Sequence, residues 1–174
     1  MKPIEFIKSK IREIPDWPKA GVSFKDITPL LQDKNAFRQT IDLLAAPYLG
    51  KKIDKVVGID ARGFILAAGV AYKLKTGLAI VRKKGKLPAK TITQSYSLEY
   101  ASNVLEMHED AVLPGEKILL VDDVLATGGT MKATMDLVQK LKVKIVVIEF
   151  LIELTYLDGR KKLKGAEIKS LIKY

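Results

Sequence analysis

The stretch of residues 118–130 constrains the fold of this chain more than any other part of the sequence. Four apolar residues, 118–121, are followed directly by Asp122 and Asp123, and then by a small-residue turn at 127–130. A short apolar run that gives way to polar residues and glycines indicates a buried strand leading into a helix. In open parallel sheets, ligands bind just beyond the carboxyl ends of such strands. We therefore expect a ligand site here.

The chemistry of these residues indicates a sugar phosphate as the ligand. Two adjacent carboxylates repel each other, and ribose hydroxyls with a divalent cation held by oxygen ligands would compensate them. The small residues of the turn allow backbone N–H groups to approach a phosphate, and the dipole of the following helix favours an anion. The sequence of the turn lacks the features of a Walker loop and of a dinucleotide fingerprint. The structural alternative is a capped helix with acids at the strand rim by accident.

Hydrophobic periodicity predicts an α/β fold. Strands are expected at 55–59, 78–81, 117–121 and 144–154, an antiparallel hairpin at 95–107 and a small strand at 167–173. Helices are expected at 3–13, from a cap at Asp33 to Gly50, at 64–75 and at 130–141. Residues 14–29 should be irregular, and 82–94 should form a long basic loop. The alternation of strand and helix predicts parallel pairing with helices on both faces of the sheet.

Composition narrows the function classes without choosing among them. The 174 residues are 48% hydrophobic, which suits a single domain with a proper core. The absence of cysteine excludes disulfides and thiolate metal sites. No apolar run reaches the length of a membrane span, and no signal-peptide core is visible, so a cytoplasmic location is expected. The net charge of +10 comes from dispersed lysines, which fits a solvated surface as well as an anionic ligand.

Five segments, in order along nearly the whole chain, resemble motifs of the adenine phosphoribosyltransferase family, a branch of the type I phosphoribosyltransferases. They resemble the hood (24–30), the pyrophosphate loop (58–64), the catalytic loop (82–88 with 96–100), the phosphoribosyl-pyrophosphate motif (118–130) and the C-terminal segment (153–160). The resemblance implies a twisted, mainly parallel sheet flanked by helices, with a flexible catalytic loop. It also implies one domain over 1–174, with a hood built from about 1–32 and the C-terminal segment.

The same resemblance implies the reaction and its partners. The 5-phosphoribosyl group of phosphoribosyl pyrophosphate would pass to adenine, giving AMP and pyrophosphate, in purine salvage. Mg²⁺ would be required and held mainly by the substrate, with Asp122 or Asp123 as the protein contact. A homodimer is expected, with no membrane or nucleic-acid partner.

The site residues implied by the resemblance fall into four groups. Glu99 would manage the proton of the purine, and Arg62 would share the catalytic role with it. The ribose 5-phosphate would contact Asp122, Asp123, Ala126, Thr127, Gly128, Gly129 and Thr130. The pyrophosphate would contact Asp60, Ala61, Arg62, Arg82, Lys83 and Lys86. The adenine would contact Ser23, Phe24, Lys25 and Leu154. A non-proline cis peptide bond is also implied in the pyrophosphate loop.

Two departures from the family pattern and two alternative functions stay open at the level of sequence. Ala89 and Ala101 stand where the family pattern has glycine or proline, and Ser23 stands where an apolar residue is common. Another purine (hypoxanthine, guanine or xanthine) would fit the same machinery. A ligand-sensing regulator that binds nucleic acid would need an appended DNA-binding segment, which residues 1–30 are too short to provide, and it would have no use for Glu99. The single histidine, His108, is expected at the surface.

Overall fold

The structure, a computed structural model, describes residues 2–98 and 101–174. The chain forms two units, one that ends at Leu43 and one that runs from Leu44 to Tyr174. In the described residues, no helix has the length and apolar character needed to cross a membrane.

The first unit contains a short helix, a two-stranded sheet and a second short helix. Helix α1 (Pro3–Ser9) begins at a proline, which the first turn of a helix accommodates. Strands β1 (Arg12–Ile14) and β2 (Phe24–Asp26) pair antiparallel, and α2 (Thr28–Gln32) follows. The helix expected over 3–13 is therefore too long, and the segment expected to be irregular contains β2. Both errors have one cause, since the β1–β2 pairing joins residues too far apart for periodicity to reveal.

Helix α3 (Lys34–Ala45) starts at the predicted cap. The Asp33 carboxylate accepts the backbone N–H groups of Asn35 and Ala36 at 2.9 and 3.1 Å. The α-helix ends earlier than the predicted Gly50, and a 3₁₀ turn follows at Ala46–Tyr48. A proline within that turn has no N–H to continue the helical ladder.

The second unit is built on a seven-stranded sheet with the order β5-β6-β4-β3-β7-β8-β9. Strands β3, β4, β7, β8 and β9 pair in parallel, whereas β5 and β6 form an antiparallel hairpin beside β4. Helix α4 packs on β3 and β7, and α5 packs on β5 and β6. The strands are β3 (Lys55–Ile59), β4 (Gly77–Lys83), β5 (Thr91–Leu98), β6 (Ala101–His108), β7 (Lys117–Leu125), β8 (Lys144–Glu153) and β9 (Ile168–Lys173), and the helices are α4 (Arg62–Leu74) and α5 (Gly129–Gln139). The predicted parallel α/β sheet is confirmed.

Two strands run further than their sequences indicate. The strand predicted to end at 121 continues to Leu125, because β8 pairs with it as far as Glu153. The strand predicted to end at 81 continues to Lys83, which pairs with Leu105 of β6. The expected long loop over 82–94 is consequently wrong in extent, since β5 begins at Thr91.

The core of the second unit lies along the central strands. Val57, Ile118, Leu120, Ile148 and Phe150 are all at most 1% exposed. The near-continuous apolar runs that suggested buried strands are confirmed in β3 and the first half of β7. This rigid centre fixes where the carboxyl ends of β3 and β7 lie, and the cavity described next opens there.

Candidate active site

A cavity of about 350 Å³ lies at the carboxyl ends of β3 and β7 in the second unit. Its lining combines three segments that are distant in sequence: 59–62, 122–131 and Phe150 of β8. Ligands of open parallel sheets bind at this edge. The structure therefore brings the predicted ribose, phosphate and pyrophosphate segments to one place.

The turn between β7 and α5 forms one wall of the cavity. Gly128 has a φ of +78°, a conformation that favours glycine, and α5 begins at the next residue. A Cβ at Gly128 would lie 2.5 Å from the carbonyl oxygen of Gly159, so a side chain is excluded as well. Because Gly129, Thr130 and Met131 line the cavity, the positive end of the helix dipole is next to it. An anionic group suits this wall.

The paired acids lie inside strand β7 and not after it. The Asp122 carboxylate accepts the backbone N–H of Asp123 at 2.9 Å. Asp123 is 6% exposed, and its Oδ2 lies 2.7 Å from Nε of Arg62. Among the described residues, this Oδ2 is nevertheless the buried side-chain oxygen that has no hydrogen bond. The Arg62 guanidinium attracts the Asp123 carboxylate, but Oδ2 of that carboxylate can still accept a hydrogen bond.

Burial shifts the pKa of both acids in the same direction. It raises the pKa of Asp122 well above the usual range, and the charge of Asp123 raises it further. Burial also raises the pKa of Asp123, although the Arg62 guanidinium opposes that shift. A Cβ at Gly63 would meet the Asp122 carboxylate, so a larger residue there would displace that carboxylate. The pair is thus held close together with less positive charge than two carboxylates require.

The loop between β3 and α4 forms the opposite wall. The peptide bond between Asp60 and Ala61 is cis, which confirms the implied non-proline cis bond. Backbone N–H of Asp60 donates to Val81 at 3.0 Å, and the Asp60 carboxylate accepts Nε–H of Arg82 at 3.1 Å. Asp60, Ala61 and Arg62 all line the cavity. The predicted pyrophosphate loop is therefore placed beside the predicted phosphate turn.

The basic loop after β4 is connected to this wall through Arg82. The guanidinium carbon of Arg82 lies 6.0 Å from the centre of the Phe64 ring, and Nη1 donates to the Lys86 carbonyl at 3.3 Å. Arg82 contacts Asp60, which lines the cavity, but Arg82 itself, Lys83 and Lys86 are not part of the lining. The predicted surface position of His108 is only partly right, because its ring is half-buried and accepts the N–H of Ala89 at 3.4 Å.

The C-terminal segment supports the phosphate turn from behind. A Cβ at Gly159 would lie 3.1 Å from the Gly128 nitrogen, so the two glycines permit a close backbone approach. The next residue, Arg160, forms a bidentate ion pair with Glu153, with distances of 2.5 and 2.8 Å. Leu154, 9% exposed, donates its N–H to Leu125 at 2.9 Å, but it is not part of the cavity lining.

The comparisons with known proteins decide the family. The profile of the phosphoribosyl transferase domain matches residues 28–168. The adenine phosphoribosyltransferase of Trichlorobacter lovleyi is 53% identical, over 98% of this chain and 100% of its own. The chain belongs to the adenine phosphoribosyltransferase family. The crystal structure of the Thermoanaerobacter pseudethanolicus adenine phosphoribosyltransferase matches with a TM-score of 0.95 and 53% identity, over 98% of this chain and 99% of that one. The predicted type I phosphoribosyltransferase fold is confirmed.

A third relative carries ligands. The Saccharomyces cerevisiae adenine phosphoribosyltransferase, 33% identical with a TM-score of 0.92 over 97% of this chain and 98% of its own, was solved with adenine and an imino-altritol bisphosphate. Family membership also confirms that the chain is a pentosyltransferase, as the sequence predicted.

The predicted adenine contacts of the first unit lie in and around strand β2. The Phe24 ring meets the Trp17 ring edge-on with centroids 4.4 Å apart. The buried Lys25 ammonium lies 2.7 Å from the Glu13 carboxylate and donates to Ser23 at 3.0 Å. The assignment of these residues to adenine stays a prediction. Asp26 accepts the N–H of Thr28 at 2.9 Å, at the first residue of α2.

Sequence reasoning missed some residues, and one predicted residue cannot be placed. Glu99 lies outside the described residues, so its catalytic assignment also stays a prediction. Glu106 was missed, although it is a buried acid that accepts two backbone N–H groups of the basic loop. Its only signal in the sequence is a charged residue between two apolar strand residues. Glu13 was missed as well, since nothing local connects it to Lys25.

Proposed function

We propose that the chain transfers the 5-phosphoribosyl group of phosphoribosyl pyrophosphate to adenine, giving AMP and pyrophosphate. The observation that carries this proposal is the one cavity in which the acid pair, the phosphate turn and the pyrophosphate loop meet. Relatives about 53% identical over nearly their full length are adenine phosphoribosyltransferases, which supports adenine as the acceptor. The cellular role would be purine salvage.

The turn and the acid pair would hold the ribose 5-phosphate. Backbone N–H groups at Gly128 and Gly129, near the start of α5, suit the 5′-phosphate, and the hydroxyls of Thr127 and Thr130 add donors. Ala126, the remaining predicted contact, lines the same cavity. The carboxylates would accept the ribose hydroxyls, which supply the donors that the buried Oδ2 of Asp123 lacks.

The residues present fit a Mg²⁺ ion that arrives with the substrate. An under-compensated carboxylate pair is the oxygen donor set that Mg²⁺ prefers. Within the described residues there is no group of three acidic, histidine or cysteine side chains that would hold the ion alone. The substrate would therefore supply most of its ligands, with Asp122 or Asp123 as the protein contact. The ion would neutralise negative charge on the departing pyrophosphate.

The pyrophosphate end of the site would promote bond cleavage electrostatically. In the transfer, the bond from C1′ to pyrophosphate oxygen breaks, the bond from adenine N9 to C1′ forms, and the N9 proton is lost. Arg62 and the backbone of Asp60 and Ala61 would hold the leaving group, and the resemblance implies Arg82, Lys83 and Lys86 as further contacts. Most of the rate enhancement would come from positioning and charge stabilisation. Closure of the basic loop would exclude water.

The acceptor side of the proposal depends on residues assigned by resemblance. Glu99 would accept the adenine proton or stabilise the charge that develops on the ring. Ser23, Phe24, Lys25 and Leu154 would contact the base. A homodimer in the cytoplasm is part of the same proposal, supported by the resemblance alone.

A purine panel tests the reaction. The protein is incubated with phosphoribosyl pyrophosphate, Mg²⁺ and adenine, hypoxanthine, guanine or xanthine, and nucleotide formation is followed by chromatography. Adenine should be converted at least a hundredfold more efficiently than the other bases. Preferential use of another purine would correct the acceptor. No turnover with any purine, together with salt-sensitive DNA binding, would instead support a regulator.

The role of Glu99 has its own test. Glu99→Ala should lower kcat by about a hundredfold, as loss of a general base does, and change KM for adenine little. Glu109→Ala is the matched control, because Glu109 is an exposed acid beyond the end of β6. Near-normal kcat in Glu99→Ala would show that another group takes the proton.

A further inference from the structure

A buried carboxylate lies at the root of the basic loop, outside the cavity. Glu106 is only 3% exposed and lies on β6, directly opposite Arg82 of β4 in the antiparallel register. Its Oε1 accepts the backbone N–H of Lys86 at 2.7 Å and that of Leu87 at 2.9 Å. A buried charge is costly unless hydrogen bonds satisfy it, and here the backbone of the loop supplies those bonds.

The loop is shaped around this carboxylate. The N–H of Lys84 donates to Val104 at 2.9 Å, and Gly85 then turns the chain with a φ of +85°. Burial alone would raise the pKa of Glu106, but the N–H groups of Lys86, Gly85 and Leu87 together hold the pKa below its usual range. The side chain therefore stays ionised and keeps the turn fixed.

The fixed turn is joined to the wall of the cavity. The carbonyl of Lys86, whose own N–H is bound to Glu106, accepts Nη1–H of Arg82 at 3.3 Å. The same guanidinium donates through Nε to Asp60 at 3.1 Å, and Asp60 lines the cavity. A continuous set of hydrogen bonds thus leads from Glu106 through the loop backbone and Arg82 to the pyrophosphate loop.

We infer that Glu106 is a positioning residue for pyrophosphate recognition: it fixes the turn at 84–87 so that Arg82 and Lys86 are held for the pyrophosphate group of the substrate. This inference rests on the proposed function. Without the carboxylate, the N–H groups of the turn lose their acceptor, and the loop can leave the arrangement that orients Arg82. The protein should therefore lose affinity for phosphoribosyl pyrophosphate and keep its affinity for adenine.

Three variants of the full chain test this inference. Glu106→Ala should raise KM for phosphoribosyl pyrophosphate, and KM for pyrophosphate in the reverse reaction, by about tenfold, the effect of losing oriented charge-assisted contacts. KM for adenine should stay within about twofold. Glu106→Gln keeps an acceptor oxygen and should restore KM to within about threefold of the wild type. Glu106→Asp withdraws the carboxylate from the turn and should raise KM about fivefold, so it carries the test if the alanine variant does not fold.

A matched control separates positioning from general stability. Glu116 also holds a turn, because it accepts the backbone N–H of Leu113 at 2.7 Å. It directly precedes the amino end of β7, whereas the cavity lies at the carboxyl end. Glu116→Ala should lower the melting temperature and leave both KM values unchanged.

The inference is overturned if Glu106→Ala keeps the wild-type KM for phosphoribosyl pyrophosphate, or if KM for both substrates rises equally. Calorimetric titration of each variant with phosphoribosyl pyrophosphate and Mg²⁺ gives the same comparison without an acceptor base. Failure of the wild type to use adenine would therefore refute the proposed function separately.

Discussion

The two ends of the central strands β3 and β7 carry the same kinds of charged side chain in different surroundings. At the amino ends, the Asp54 carboxylate accepts the N–H of Lys117 at 2.8 Å, and the Lys55 ammonium lies 3.2 Å from Glu116. At the carboxyl ends, two adjacent aspartates face one another inside β7, and a buried oxygen of the second has no hydrogen bond among the described residues. The charged groups at the amino ends have partners within the protein, whereas an aspartate oxygen at the carboxyl ends can still accept a hydrogen bond.

This difference separates structural from functional charge within one sheet. Paired surface charges add little to stability, but they are not raised in free energy by their surroundings. The surroundings of the β7 aspartates do raise the free energy of their charged forms, because burial raises the pKa of both. A fold that keeps such a pair gives up stability for the capacity to bind a ligand that supplies donors or positive charge. Variants at the carboxyl ends should therefore change activity, whereas variants at matched positions of the amino ends should change only stability.

The largest difference should come from two glycines of similar conformation. Gly128 and Gly115 have φ of +78° and +82°, so an alanine at either position is strained by about 1–2 kcal/mol. Only at Gly128 would the new Cβ also meet backbone, 2.5 Å from the Gly159 carbonyl, whereas the space at Gly115 is open. Gly128→Ala should lower kcat/KM at least a hundredfold, and Gly115→Ala should lower only the melting temperature, by a few degrees. Full activity in Gly128→Ala would show that the turn does not hold the phosphate.

A second contrast concerns the cation at each end. Arg62→Gln removes the positive charge 2.7 Å from Asp123 and should lower kcat/KM by roughly a hundredfold, the usual effect of losing a group that stabilises transition-state charge. Lys55→Gln removes the cation of the opposite end and should leave kcat/KM within about twofold, at a cost in stability of about 1 kcal/mol or less. Steady-state kinetics and urea unfolding measure the two effects. Similar kinetic losses in both variants would mean that the two ends do not differ in function.

The parts of this site that sequence could predict are those determined by neighbours along the chain. The capping role of Asp33, the strand at 55–59 and the glycine turn at 128 each depend on a few adjacent residues, and all three are confirmed. The placement of the pyrophosphate loop beside the phosphate turn follows from a general rule about parallel sheets, so it could also be predicted.

The parts that could not be predicted depend on pairing between distant strands. In the sequence, the polar pair Asp122 and Asp123 indicates the end of a strand. Only the pairing with β8 shows that the strand continues to Leu125. Glu106 gains its importance from a loop about 20 residues away in sequence, which β6 meets because it pairs with β4. The close approach of Gly159 to Gly128 likewise depends on the path of the chain after β8.

The third contrast exchanges aspartate for asparagine and concerns stability. Because burial and the neighbouring charge raise the pKa of Asp122 in the folded state, the native protein binds more protons than the unfolded chain between the ordinary pKa and the raised one. Its stability therefore falls as pH rises through that window. Asp122→Asn keeps the oxygen that accepts the N–H of Asp123 but cannot ionise. Its melting temperature should exceed that of the wild type by a few degrees at pH 8, with a smaller gap at lower pH, while activity falls.

The control for this exchange is Asp54→Asn at the amino ends. The Asp54 carboxylate accepts the Lys117 N–H and lies 4.0 Å from the Lys52 ammonium, so loss of its charge should lower the melting temperature slightly at neutral pH. Activity should not change. A destabilised Asp122→Asn variant with the same pH dependence as the wild type would show that the aspartate pair is fully compensated within the protein.

The smallest expected effect concerns Glu149, a buried carboxylate that accepts a hydrogen bond from another side chain of the protein, as Oδ2 of Asp123 does not among the described residues. Glu149 of β8 is 1% exposed, and burial raises its pKa to about 7, but the Tyr48 hydroxyl donates to it and opposes that shift. In Tyr48→Phe this carboxylate loses its donor, so its pKa should rise further and the fall of stability with pH should extend above 7. Urea unfolding should show a loss of about 1 kcal/mol at pH 8 and less at pH 6, where the carboxyl is largely protonated, with activity unchanged. Tyr72→Phe is the control, since Tyr72 is 88% exposed. An equal loss at both pH values would mean that packing of the ring, and not the hydrogen bond to a buried charge, is what Tyr48 contributes.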